Sequence, residues 1–309
     1  MQHARWCVLI SMFIVAWTVT VTNAQEHDRS FEKALQLATE AVGKPDEFER
    51  SFEKLLAHFP QTQDGYYVVE GDMILTDAEL RQLVRERRDA LNGKEPWPPS
   101  AKQGELIVMT KDGAPTCYRS PEERQLTYAI DRQSFAEAPE AGAYEAIALE
   151  VEAATSDWQK VCPECGITFR RLNIPAPSEG DANFIVKYVG YQGALIARAF
   201  FPKDIQAKRY LQVTQAYYTG NYSRVGILRH EIGHILGYRH EHIRPEAPFL
   251  CFFKPESKEW ARIAGGRYDP KSVMHYPCQA DGITVGSFTF QLTQADQTSH
   301  RKFYTEICQ

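Results

Sequence analysis

His230, Glu231, His234, Gly237 and His240 fall at spacings that let one short segment do metal chemistry. The stretch reads His-Glu-x-x-His-x-x-Gly-x-x-His. Apolar residues at Val225, Ile227, Leu228, Ile232, Ile235 and Leu236 recur through it at helical spacing. On a helix, positions i and i+4 share one face, so His230 and His234 can offer imidazoles to a single ion. Glu231 lies beside them, within reach of water on that ion and placed as a base rather than a ligand. Gly237 can take the positive φ that ends a helix, and the turn brings His240 back to the same ion. Three neutral nitrogen ligands with one open position make a catalytic zinc site.

Such a helix needs a body to rest on. Residues 106–109, 126–130, 167–172, 184–189, 194–201 and 211–218 read as strands. Residues 144–161 read as a long helix with Ile147, Val151, Ala154 and Trp158 on one face. From Glu105 onward the pattern is therefore α/β. The preceding region differs. Residues 30–42 have helical periodicity ending at Gly43, and Pro45 opens a second helix through Phe48, Phe52, Leu55 and Leu56. Residues 66–69 are strand-like, and Thr76 with Glu79 forms a capping box opening a third helix to about Leu91. Pro96-Trp97-Pro98-Pro99-Ser100 breaks all periodicity and reads as a linker.

The chain has 309 residues, enough for one large domain and a smaller one. Hydrophobic content of 43% and charge of 24% are ordinary for a globular protein. A net charge of −5 gives no basic face, which argues against nucleic acid as a partner. Residues 1–5 are weakly basic, residues 6–21 are apolar, and Thr22-Asn23-Ala24 offers small residues at a cleavage site. This reads as a secretory signal peptide cut after Ala24. The apolar run is short of the roughly 20 residues that a spanning helix needs, so no membrane association is expected after cleavage. Once Cys7 is removed, an even set of cysteines remains, as suits disulfides in an oxidising compartment. Connectivity is open; a Cys251–Cys278 bridge would staple the segment after His240, and Cys162-Pro163-Glu164-Cys165 reads as a local loop rather than a redox motif.

Downstream of the histidines lies Ser272-Val273-Met274-His275-Tyr276, a compact turn containing Met274. The extended histidine motif followed by such a methionine turn resembles the metzincin metallopeptidases. Glu241 directly after the third histidine, Arg244 three residues further, and the Ser-x-Met-His-Tyr turn resemble the astacin family within that clan. The chain departs from that pattern after Arg244, where Glu246-Ala247-Pro248 replaces an Asp-Arg-Asp run, and at Tyr238, which stands for the usual Phe. The resemblance spans roughly residues 105–309.

It implies an α/β (α+β) catalytic domain of metzincin type, with a mixed twisted sheet, an active-site helix and a C-terminal subdomain, preceded by a mainly helical prodomain. The expected division is 1–24 signal peptide, 25–104 propeptide-like helical region with linker, and 105–309 zinc metallopeptidase domain. The implied activity is hydrolysis of internal peptide bonds of a polypeptide substrate by a zinc-activated water, with one Zn2+ on His230, His234 and His240. Glu231 is then the general base, and Tyr276 donates to the developing oxyanion; its alternative is a packed aromatic. Met274 packs beneath the imidazoles. Val69-Glu70-Gly71-Asp72 resembles the family's latency motif, in which the aspartate takes the open zinc position; as residues alone it is also a common turn. Residues 193–200 are the candidate edge strand along which substrate adds, against an alternative as an ordinary edge strand. The resemblance also pairs Cys117 with Cys308, and lets Glu241 bind the new amino terminus of the mature enzyme, against an alternative as a surface carboxylate. His242 and His275 are outer or surface groups, and His27, His58 and His300 are solvated. The alternatives are a catalytically inactive zinc-containing extracellular binding protein and a non-astacin metzincin branch. Location is secreted or extracytoplasmic; the sequence assigns no oligomeric state.

Overall fold

Pro45 has φ preset for a helix start, and it opens α1 (Pro45–Leu56) after a helical segment at residues 33–40. Phe48, Phe52 and Leu55 lie on its buried side. A hairpin of β1 (Tyr67–Val68) and β2 (Ile74–Leu75) follows, and α2 (Asp77–Leu91) begins directly after Thr76. These elements share a core of their own, including Leu35, Ala38, Phe52, Leu55, Leu80 and Val84. The computed structural model describes residues 30–91 and 106–309, apart from 31–32, 62–64, 69–71, 73, 112–113, 194, 203, 205, 207–208, 245, 248–260, 264–267 and 281–282. The signal segment 1–24, His27, the 96–100 linker and Cys251 lie outside the described residues.

The second part is built on a five-stranded sheet. β3 (Ile107–Lys111) and β4 (Ala114–Pro115) form a small hairpin ahead of it. β5 (Gln125–Ile130), β6 (Thr168–Arg171), β7 (Phe184–Tyr188), β8 (Ala197–Arg198) and β9 (Tyr210–Val213) are ordered β6-β5-β7-β9-β8. Four strands are parallel, and β8 alone runs antiparallel, at the edge. The apolar run Phe184-Ile185-Val186 is buried, as a strand covered on both faces must be. Residues 193–200, expected as an edge strand, thus contribute β8 at the edge. The expectation of one strand over 211–218 is wrong: the Thr214 hydroxyl accepts from Ala216 N, ending β9 and capping a short helix, α4 below.

Helix α3 (Ala143–Val161) crosses the sheet and packs on α5 (Arg224–Ile235), with α4 (Gln215–Thr219) leading into the latter. Trp158 of α3 is fully buried and donates from Nε1 to Arg229 O at 2.8 Å, while Asp157 pairs with the Arg229 guanidinium at 2.6 Å. A large aromatic and a partly buried ion pair thus fix α5 in rotation just before His230. β10 (Ala261–Ile263) pairs with β3, and β11 (Cys278–Ala280) with β12 (Ile283–Val285). Helix α6 (Gln294–Lys302), capped by Thr293 and Asp296 in a reciprocal capping box, runs on into a π-helical turn at Phe303–Ile307. No described helix is long and apolar enough to cross a membrane.

Cys117 and Cys308 are bonded, joining the start of this part to its end, and Cys162–Cys165 closes the local loop. The first bridge spans 191 residues of sequence and the second only 3. Because a cross-link acts largely on the unfolded chain and grows with loop length, the long bridge is the stronger staple. Replacing Cys117 and Cys308 together with Ala is expected to lower unfolding free energy by about 2–4 kcal/mol. The Cys162/Cys165 double Ala variant should lose less in the same urea titration; a larger loss there would contradict the loop-length argument.

Candidate metal centre

Ser223 caps the start of α5, its hydroxyl accepting from Gly226 N at 3.1 Å. At the other end Gly237 has φ +97°, with Gly237 N bonded to His234 O at 2.8 Å and Tyr238 N to Gly233 O at 2.9 Å. These two bonds are the paired closure of a helix ending at a left-handed glycine. A Cβ at Gly237 would also sit 2.5 Å from Thr116 O. Beyond the turn the chain runs against β3: Met109 N donates to Gly237 O at 2.7 Å, and Arg239 N to Ile107 O at 2.8 Å. That pairing delivers His240 to the side where His230 and His234 project.

The three histidines and Asp72 are all buried, and one ligand atom from each lies within 4.8 Å of every other. His230 Nδ1 lies 2.7 Å from Val273 O, and His234 Nδ1 lies 2.8 Å from Tyr238 O. A carbonyl only accepts, so each Nδ1 carries the proton and each Nε2 presents a lone pair. Those lone pairs face electron-rich neighbours. Asp72 Oδ2 is 2.9 Å from His230 Nε2, 3.4 Å from His234 Nε2 and 3.3 Å from His240 Nε2, while His230 Nε2 and His240 Nε2 are 3.2 Å apart. Such crowding of acceptors is repulsive unless a cation is shared among them. Three imidazoles and a carboxylate are a donor set that suits zinc, so the residues fit the metal that the sequence implies.

Burial pushes His230 down to about 4, which keeps it neutral, as a ligand must be. Burial alone would raise Asp72, but positive charge among the imidazoles, on His240 first, outweighs it and holds the carboxyl well below the usual range, as a shared cation would. Glu231 is buried next to its histidine; burial, then the Asp72 charge, push its carboxyl well above the ordinary value. Its Oε2 has no hydrogen-bond partner among the described residues. The half-buried Tyr276 ring lies 4.5 Å from that of His240 and 5.3 Å from that of His230, centroid to centroid.

Met274 sits where the sequence placed it. A Cβ at Gly233 would lie 2.3 Å from its Sδ, so the absence of a side chain at Gly233 lets the methionine turn press against α5 between the histidines. Met274 O accepts from Glu241 N at 2.9 Å, joining the turn to the residue after His240. Glu241 is no surface carboxylate: it is buried, pairs with Arg244 at 2.5 Å and accepts from Asp269 N at 3.0 Å. Burial still lifts it to about 8. His242 and His275 are buried too, His242 stacked on His240 and His275 Nε2 lying 2.6 Å from Tyr268 Oη. His58 is half-buried.

The expectation that His300 is solvated is wrong. It is buried on α6, with Nδ1 2.7 Å from the Tyr238 hydroxyl, because α6 turns that face inward onto the histidine loop. Asp296, one turn earlier, was likewise not singled out; its carboxylate accepts from Ser272 Oγ at 2.6 Å and Val273 N at 2.8 Å. The Thr-x-x-Asp spacing at 293–296 is a capping signature that marks the start of α6, though not what Asp296 reaches.

This mixed sheet, with its helix-borne histidines and methionine turn, is consistent with the metzincin-type domain that the sequence resemblance implies. No family model matches the chain. It is similar to zinc metalloproteinase nas-34 of Caenorhabditis elegans, 25% identical over 271 residues, which take in 82% of this chain and 40% of that protein. The chain therefore spans less than half the length of this relative. Among solved structures it is similar to myroilysin, with 16% identity, a TM-score of 0.42, and coverage of 65% of this chain and 98% of that one. It is also similar to high choriolytic enzyme 1, a hatching-enzyme zinc protease from the medaka Oryzias latipes: 14% identity, a TM-score of 0.34, and coverage of 68% and 97% respectively. The histidine motif, the methionine turn and the likeness to the Caenorhabditis elegans relative support an astacin-like metzincin.

Two outcomes follow from this packing. A Cβ at Gly226 would meet the backbone oxygen of Thr289 at 2.3 Å, whereas at Gly233 it meets a methionine side chain that can swing. Gly226→Ala is therefore expected to cost about 1–3 kcal/mol and Gly233→Ala less, read by urea unfolding; the reverse order would contradict the packing. Burial pushes His300 down to about 3 from 6.5, so below pH 6.5 the unfolded chain binds a proton that the folded chain refuses. That contribution is complete above pH 6.5 and is lost as pH falls towards 3. Stability of the unaltered protein should thus drop more steeply from pH 6.5 to 4 than that of His300→Phe; parallel curves would refute it.

Proposed function

We propose that the chain is the latent precursor of a secreted or extracytoplasmic zinc endopeptidase. The observation that carries this reading is the meeting of four buried ligand atoms from His230, His234, His240 and Asp72 beside a buried Glu231. Residues 1–24 direct export, residues 25–104 form the inhibitory segment, and residues 105–309 form the peptidase.

A zinc ion held by His230, His234 and His240 supplies Lewis acidity, making water more acidic and a carbonyl more electrophilic. Glu231 takes a proton from the attacking water and delivers it to the leaving amine, which its place one residue after His230 allows. Tyr276, its ring lying against His240 and His230, donates its hydroxyl proton in a hydrogen bond to the oxygen that gains charge. Substrate aligns as an added strand along β8, the edge of the five-stranded sheet, bonded through its main chain. Asp72 excludes water by taking the position that water needs, and removal of residues 25–104 frees it. Glu231 supports this reading over a non-cleaving zinc protein, since a structural site has no use for a buried base.

The test compares the precursor with a chain lacking residues 25–104, measuring zinc content and cleavage of an unfolded protein. Expected are about one zinc per chain, chelator-sensitive cleavage in the shortened form, and silence in the precursor. Glu231→Gln should lower the rate about 10²–10⁴-fold with zinc retained. Asp72→Asn should release activity from the precursor. Undiminished cleavage by Glu231→Gln would overturn the mechanism; a precursor as active as the shortened form would overturn latency.

A further inference from the structure

The inner face of α6 carries Asp296 and His300 one turn apart, and Tyr304 follows at the same spacing. All three are buried, and each reaches backward to a segment that adjoins the histidines. Tyr304 donates from its hydroxyl to Leu236 O at 2.9 Å, at the end of α5. His300 meets the Tyr238 hydroxyl at 2.7 Å, and Asp296 holds Ser272 Oγ at 2.6 Å and Val273 N at 2.8 Å. Val273 and Tyr238 are the two residues whose carbonyls accept the Nδ1 protons of His230 and His234.

We propose that Asp296 and His300 are positioning residues for the metal centre, orienting His230 through Val273 and His234 through Tyr238; the proposal rests on the zinc reading above. An imidazole offers its lone pair in one direction only, and the partner of its other nitrogen sets both that direction and the tautomer. Here the partners are main-chain carbonyls, which point wherever their peptides are held. Asp296 holds the peptide before Val273 through Val273 N, and it holds Ser272 Oγ, which in turn accepts from Met274 N at 3.1 Å and so fixes the Val273–Met274 peptide that carries Val273 O. Tyr238 is gripped at its far end by His300, and its ring is flanked by Trp158 and Phe303, each 5.5 Å away between centroids. His300 Nε2 has no partner among the described residues. A hydrocarbon ring would fill the same space but leave the Tyr238 hydroxyl without this partner, so packing alone does not call for an imidazole. What it does supply is a fixed contact to the loop that joins His234 to His240.

The test uses the full-length protein and the variants Asp296→Asn, His300→Phe, Tyr238→Phe and the double change His300→Phe with Tyr238→Phe. Tyr238→Phe removes only a hydroxyl, so it stays informative even where Asp296→Asn folds poorly. Val151→Ala, a cavity in α3 away from the histidines, controls for loss of stability alone. The readouts are zinc dissociation constants by chelator competition, absorption of the cobalt-loaded protein, and nitrogen shifts of the labelled imidazoles without metal. Each single variant is expected to weaken zinc about 10–100-fold and to shift the cobalt spectrum. The double change should be no worse than either of its single parents, since both act through one bond. Val151→Ala should melt earlier with zinc affinity unchanged. Variants that melt earlier yet keep zinc affinity within about twofold and unaltered imidazole shifts would overturn the proposal. If the unaltered protein bound no zinc, the zinc reading would fall, while variant-dependent tautomers of His230 and His234 would still support positioning.

Discussion

Two imidazole-to-carbonyl hydrogen bonds, His230 to Val273 and His234 to Tyr238, are the constraint on which the rest of this centre depends. Each ring is buried, so its N–H must find an acceptor inside the protein, and only main-chain oxygens meet it at these positions. The acceptors come from opposite directions: one from the methionine turn, the other from the loop that ends α5. Two glycines let them arrive. Gly233 leaves room for Met274 against the helix, and Gly237 turns the chain where a side chain would strike Thr116 O. The same bonds that satisfy the rings also aim their Nε2 atoms at one point. Satisfying buried donors and preorganising a ligand set are here one geometric requirement.

The centre concentrates charge in a place that water does not reach. Asp72, Glu231, Glu241 and Arg244 are all buried near the histidines. An unpaired charge in such surroundings is costly, so each group either has a counterpart or, like Glu231, is pushed towards its neutral form. Glu241 has Arg244. Asp72 has the imidazoles, whose facing lone pairs call for a cation between them and it. Latency as proposed follows from the same electrostatics, because a carboxylate on the same chain competes with water at a concentration fixed by its tether. Dilution does not weaken such a competitor, and relief therefore requires cutting the tether.

What the sequence made legible was local. The helix over His230–Ile235 followed from apolar period, the turn at Gly237 from glycine's tolerance of positive φ, and α1 from Pro45 and its phenylalanines. The Cys117–Cys308 bridge and the placing of Asp72 at the histidines came from family resemblance; no periodicity announces that Asp72, 158 positions before His230, will meet it. The misses share a cause. Residues 211–218 look like one apolar strand because Thr214 is a good strand residue until its hydroxyl caps the next helix. His300 was assigned to solvent, and a surface carboxylate was one of two readings left open for Glu241, because burial of a polar side chain depends on partners that the fold supplies. Tyr238 lies 62 positions before His300 and leaves no spacing signal, whereas Arg244 is three residues from Glu241 and its spacing does not say that the pair is buried.

Tyr238 joins these strands of argument. Its residue type departs from the Phe that the resemblance gives at this position, and the difference is a hydroxyl in a fully buried ring. A hydroxyl left without a partner there would cost on the order of 1–3 kcal/mol. The chain meets that cost with a second departure from apolar packing, an imidazole on α6 whose Nδ1 lies 2.7 Å away. Neither residue is intelligible alone: His300 without Tyr238 is a buried ring with no polar contact among the described residues, and Tyr238 without His300 is an orphaned donor. Together they form a cross-brace between the C-terminal helix and the histidine loop, and the Cys117–Cys308 bridge fastens the end of the chain just beyond it. The loop that must hold two ligands still is thereby tied to a C-terminal segment that is covalently anchored.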